Sequence, residues 1–108
     1  MVRLTEEVSP RLTLSYHTQG EVIYWSYNGL ESETSKQMAK IMATTSGYAL
    51  DVPMGLAVGG GFKDWFISKY LRPGFTVEVG KGRNQLPIQD ALPIYTQLRE
   101  MLTISMIM

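Results

Sequence analysis

The sequence predicts an α/β fold, a sheet covered on its faces by helices, and three observations carry that prediction. Two stretches show an apolar period of two, Leu12, Leu14 and Tyr16 and then Phe75, Val77 and Val79. Two longer stretches, near 32–46 and 90–106, repeat apolar residues at spacings of three and four. The two kinds alternate along 108 residues, and strands that alternate with helices form an α/β sheet.

Taken in order, Leu12 to Tyr16 alternates with Arg11, Thr13 and Ser15, which predicts a strand with one strongly apolar face and His17 at its end. Val22, Ile23, Tyr24 and Trp25 are β-branched and aromatic and predict another extended stretch before the turn Asn28-Gly29. From Ser32 to Ser46, Met38, Ile41, Met42 and Thr45 mark a helix face, with Ser32 as N-cap and Gly47 as C-cap. Gly59-Gly60-Gly61 marks a loop, and 62–70 reads as a short helix that Pro73-Gly74 ends. Phe75 to Val79 is the second clear strand, with Thr76 and Glu78 on its less apolar face. The last helix, 90–106, places Ile94, Leu98, Met101, Leu102 and Ser105 on one side, with Pro93 in its first turn. The methionines at 38, 42, 101 and 106 read as helix core rather than as a metal-binding surface.

Composition narrows the function classes. Ten basic residues balance ten acidic ones, so there is no sequence-wide field for nucleic acid, and none is expected as a partner. Cysteine is absent, which excludes disulfides and thiolate metal sites and leaves the compartment open. No apolar run reaches the roughly 20 residues that span a bilayer, and Met1 to Pro10 does not read as a signal peptide. There is no repeat or linker, so 1–108 reads as one domain or part of one.

Two residues stand out chemically. His17 is the one histidine, and it follows an apolar strand at a sheet edge, where α/β proteins place ligands; the alternative is a structural hydrogen-bonding histidine. Glu78 is flanked by Val77 and Val79, so it is either on a solvated strand face or held for a purpose. Gly59 to Gly61 lacks the lysine-serine or glycine spacing of a nucleotide site.

The run Ser15-Tyr16-His17-Thr18-Gln19-Gly20-Glu21-Val22-Ile23-Tyr24-Trp25 resembles the segment of bacterial zinc carboxypeptidases that supplies the third zinc ligand. Gly60-Gly61-Phe62-Lys63-Asp64-Trp65, followed by Arg72-Pro73-Gly74-Phe75-Thr76-Val77-Glu78-Val79-Gly80, resembles the segment leading into the general-base glutamate of the carboxypeptidase A type. The resemblance covers nearly the whole chain and is closest to members that cut the γ-D-glutamyl bond to a diamino acid in cell-wall peptides. It implies that 1–108 corresponds to the C-terminal part of such a catalytic domain, within that family's mixed sheet. His17 is then a zinc ligand and Glu78 the catalytic base. Lys63 falls at the base of the specificity pocket, where a cation favours an acidic group; the alternative is an exposed lysine on a short helix. Asp64 is read as structural.

Departures from the pattern are equally informative. The family's other two zinc ligands are a histidine and a glutamate three residues on, and a chain with one histidine cannot hold that pair. The resemblance therefore implies zinc in a longer parent and no stable zinc site in this chain alone. Arg3 and Arg11 are not assigned to the substrate carboxylate, and Leu56 stands where the family has a mobile tyrosine. The expected partner is a peptide, with a cell-wall peptide as the narrower reading. Two other classes compete: a peptide-binding module without catalysis, and a structural or oligomerising domain suggested by the apolar stretch 101–108 and by unpaired sheet edges. A homo-oligomer is expected.

Overall fold

The computed structural model describes residues 2–18, 20–51, 61–81 and 87–107. Its elements run α1 (Val2–Val8), β1 (Thr13–Thr18), β2 (Val22–Tyr24), α2 (Glu33–Ser46), β3 (Ala49–Asp51), α3 (Phe62–Tyr70), β4 (Gly74–Val79), a 3-10 turn (Ile88–Asp90) and α4 (Ala91–Ile107). The four strands form one mixed sheet in the order β1-β4-β2-β3. β4 runs parallel to β1 and antiparallel to β2, and β2 is parallel to β3. The predicted α/β class is the one observed.

β1 and β2 are consecutive in sequence, yet β4 lies between them. The chain from β1 to β2 therefore passes over the end of β4. There Gly20 adopts φ 137, a conformation open to glycine, and its N–H donates to the Gly80 carbonyl at 2.7 Å. This crossing brings the ends of β1 and β4 together.

Side chains alternate across the sheet. One face carries Phe75 and Val77 of β4 and Ile23 of β2, all fully buried. These meet Ala39 and Met42 of α2 and Leu98 and Met101 of α4 in the main core, with Leu14, Leu50 and Val79 packed at its margins. A fully buried side chain of this kind contributes about 1.5–3 kcal/mol, so this layer dominates the stability. Ser32 caps α2 by accepting from the Ser35 N–H at 3.2 Å, and Gly47 ends it at φ 77, both as the sequence predicts.

Three expectations are corrected by the packing. The buried stripe of α2 runs through Ser35, Ala39, Met42 and Ser46, so Ile41 points outward at 43% exposure. Met106 is 77% exposed because the buried side of α4 is Leu98, Met101 and Ser105. Tyr16 is 43% exposed although it shares the apolar face, since β1 is an edge strand with less covering it. Helix α1 and strand β3 were not anticipated. β3 has three residues, too few for a visible period, and α1 buries only Thr5.

The opposite face is covered at one end by α3, whose Phe66 and Ile67 lie over Gly74. Ion pairing of Lys69 with Glu6 at 3.1 Å and donation from Arg72 to the Ser9 and Pro10 carbonyls tie α1 and its exit to this layer. No helix among the described residues is long and apolar enough to cross a membrane.

Candidate functional site

The parallel register of β1 and β4 pairs His17 with Glu78. Residues directly paired across two strands project on the same face, so the two side chains lie next to each other on the face opposite the main core. His17 lies inside β1, one residue before its end, rather than after the strand. It is exposed, and Glu78 is half-buried. Among the described residues the two form no ion pair within 4.0 Å. Burial pushes the Glu78 carboxyl above its ordinary value of 4.5, and the neighbouring His17 charge acts against that rise.

A second row runs across the sheet beside the first. Ser15 pairs with Thr76, Thr76 with Tyr24, and Tyr24 with Asp51. These four polar side chains share the face of His17 and Glu78. Ser15 lines the groove at the edge of β1, and Thr76 and Tyr24 are half-buried. Sequence reasoning missed this row. Its signal was Ser15 and Thr76 at two residues before His17 and Glu78, but their alignment depends on a register that only the paired strands reveal.

Lys63 is 4% exposed, which excludes the solvated lysine of the alternative reading. Its ammonium donates to the Ser26 carbonyl and to Asp64 Oδ1, both at 2.5 Å. Asp64 is 3% exposed, so the pair is buried as well as close. The first turn of α3 places them, and Ser26 lies two residues past Tyr24, beyond the hydroxyl row.

A groove of about 950 Å³ runs along the free edge of β1, lined by Leu4 and Thr5 of α1, Gly61 and Phe62 at the start of α3, and β1 from Thr13 to His17. Among the described residues no group of three or more histidine, cysteine, aspartate or glutamate side chains could hold a metal ion. His17 and Glu78 are therefore not joined by a third such side chain among the described residues. Leu56, and all of the Gly59 to Gly61 loop except Gly61, lie outside the described residues.

No family model matches the chain. The chain is 45% identical over 95 residues to the uncharacterized protein YqgT of Bacillus subtilis (strain 168), covering 88% of this chain and 25% of that protein. It is 43% identical over 98 residues to gamma-D-glutamyl-L-diamino acid endopeptidase 1 of Lysinibacillus sphaericus, covering 90% of this chain and 24% of that protein. The chain spans about a quarter of the length of the curated relatives it matches.

Proposed function

We propose that this chain supplies part of the active site of a zinc peptidase of the carboxypeptidase type, one that cuts the bond between a γ-D-glutamyl group and a diamino acid. The observation that carries this reading is the pairing of His17 with Glu78 on one open sheet face. The similarity to an endopeptidase named for that bond supports it.

The donor set fits a catalytic zinc only in part. Such sites use three protein ligands and leave a position for water, and the described residues offer no set of three. His17 would provide one imidazole ligand, and the others would come from polypeptide outside this stretch, making 1–108 one portion of a larger catalytic domain. Zinc, when bound, lowers the pKa of its water toward about 7 and polarises a carbonyl.

Glu78 takes a proton from the attacking water and returns it to the leaving nitrogen. Its partial burial raises its proton affinity, which moves it toward the range in which a carboxyl both accepts and donates near neutral pH. Among the described residues no ion pair engages this carboxylate. The Ser15, Thr76 and Tyr24 hydroxyls lie next to this pair and hydrogen-bond the polar groups of a bound peptide. Lys63 is buried against Asp64 and the Ser26 carbonyl, so it supports the segment after β2.

The test is hydrolysis of a γ-D-glutamyl-diaminopimelate peptide by the full polypeptide that carries this stretch. Glu78→Gln is expected to lower kcat by about 10²–10⁴ with the fold intact. Unchanged turnover in that variant would remove Glu78 from the chemistry.

A further inference from the structure

Glu78 stands one residue before the end of β4, where a strand has lost neighbours on one side. A base that works within hydrogen-bond reach needs a fixed position, so what holds this end of the strand bears on the chemistry. Gly80, two residues past Glu78, is buried and turns out of the strand at φ 75. Its carbonyl accepts from the Gly20 N–H at 2.7 Å, and its own N–H donates to the Tyr48 hydroxyl at 3.3 Å.

We propose that Tyr48 is a positioning residue for Glu78: its hydroxyl pins Gly80, Gly80 holds Gly20, and Gly20 backs the Glu78 side chain. This rests on the peptidase reading above and deepens it by naming what keeps the base in place.

The links nearest Glu78 come from the crossing between β1 and β2. A Cβ at Gly20 would lie 4.0 Å from the Glu78 Cβ, so the crossing chain rests against the root of that side chain. Glu21 follows at φ 54, a conformation uncommon for a residue with a side chain, and such a path needs support from its surroundings. Residues 48 and 49 supply it. Tyr48 grips Gly80, and the Ala49 N–H donates to the Glu21 carbonyl at 3.2 Å. The ion pair of Lys81 with Glu21 at 3.4 Å lies on the outside, with the lysine largely exposed, and adds little.

The other end of the link is anchored in the main core. Tyr48 is 3% exposed and packs with the core cluster. Its N–H donates to Ser46 Oγ at 3.1 Å, Ser46 Oγ donates to the Met42 carbonyl at 2.7 Å, and Gln97 of α4 donates to the Ser46 carbonyl at 3.0 Å. The ring is thus held by α2 and α4 while the hydroxyl reaches the end of β4. Packing needs only the ring, and the hydroxyl is what separates tyrosine from phenylalanine here. Burial pushes the phenol above its ordinary value of 10.0, the Gly80 hydrogen bond acts against that rise and the Glu21 charge adds to it, so the hydroxyl is neutral near pH 7.

The test is Tyr48→Phe, read by amide hydrogen exchange and side-chain NMR in this chain and by kinetics in the full polypeptide that carries it. The Gly80 and Gly20 amides are expected to exchange about five- to tenfold faster, and the Glu78 side-chain signals to move. The amides of the core pair Ile23 and Val77 should keep their protection. In the full polypeptide kcat should fall by about 10-fold to 100-fold, with KM changed less than about twofold. Unchanged Gly20 exchange and Glu78 signals, an equal acceleration at Ile23 and Val77, or an unchanged kcat would overturn the proposal. Should the variant not fold, the unaltered chain decides, since fast exchange at Gly20 and Gly80 there would show that no clamp exists. A polypeptide that does not hydrolyse the peptide at all defeats the peptidase reading, while the exchange data still decide whether Tyr48 holds Gly20 against Glu78.

Discussion

The two faces of the sheet are built from the same strands and behave as different materials. On β4, Phe75 and Val77 face α2 and α4 with no exposure, while Thr76 and Glu78, each one residue away, face a partly open surface. On β1, Leu14 packs against the core, while Ser15 and His17 line the groove. A period of two separates the faces so completely that one can be optimised for packing and the other for chemistry. The rigid apolar face holds the polar one in register.

The largest effect should come from breaking the packed face. Phe75→Ala removes a fully buried ring and should destabilise the fold by about 3–5 kcal/mol in denaturant unfolding. Because β4 is central, the paired signals of His17 and Glu78 should be lost together in that variant if the packed face does support the open one. A smaller loss is expected where α3 meets the other face. A Cβ at Gly74 would lie 3.2 Å from Phe66 Cδ1, 3.3 Å from Ile67 Cγ1 and 3.4 Å from Thr13 Oγ1. Phe66 and Ile67 are fully buried and have little room to yield, so Gly74→Ala should cost about 1–2 kcal/mol by the same measurement.

The smallest effect has the opposite sign and belongs to the open face. Glu78 has a raised pKa in the folded protein because burial disfavours its charge, a rise that His17 partly offsets. The folded state thus holds this proton more tightly than the unfolded chain does. Stability falls as pH rises through the unfolded and then the folded value, and the penalty is complete above both. Glu78→Gln should therefore stabilise the fold slightly at pH 7, by less than about 1 kcal/mol at a solvent-screened site. The gain should fade as the pH drops below the ordinary value of 4.5. Thermal melts across pH 3–8 would show this, and a destabilised Glu78→Gln at pH 7 would mean that the carboxylate is structural.

Much of this was legible in the residues, for local reasons. Helix α2 announces itself through Ser32 and Gly47, since caps are short-range chemistry. β1 and β4 show through alternation, and His17 and Glu78 stand out as polar residues set in apolar strands. What stayed hidden depends on distant contacts. That Ile41 turns outward while Ala39 turns inward is settled by where α4 lies against α2. The row of Ser15, Thr76 and Tyr24 exists only because β4 inserts between two consecutive strands, and no local pattern encodes an insertion. The burial of Lys63 against Asp64 and the Ser26 carbonyl was hidden too, because nothing local says that the start of α3 packs on the segment after β2.

The central proposal is that the open face supplies one zinc ligand and one base of a larger site, and zinc affinity tests it most directly. Calorimetry of the chain and of His17→Ala should show negligible zinc binding in both, weaker than micromolar. Tight, stoichiometric binding by the chain that disappears in His17→Ala would contradict the account, because residues of this chain or of a second copy would then complete the site.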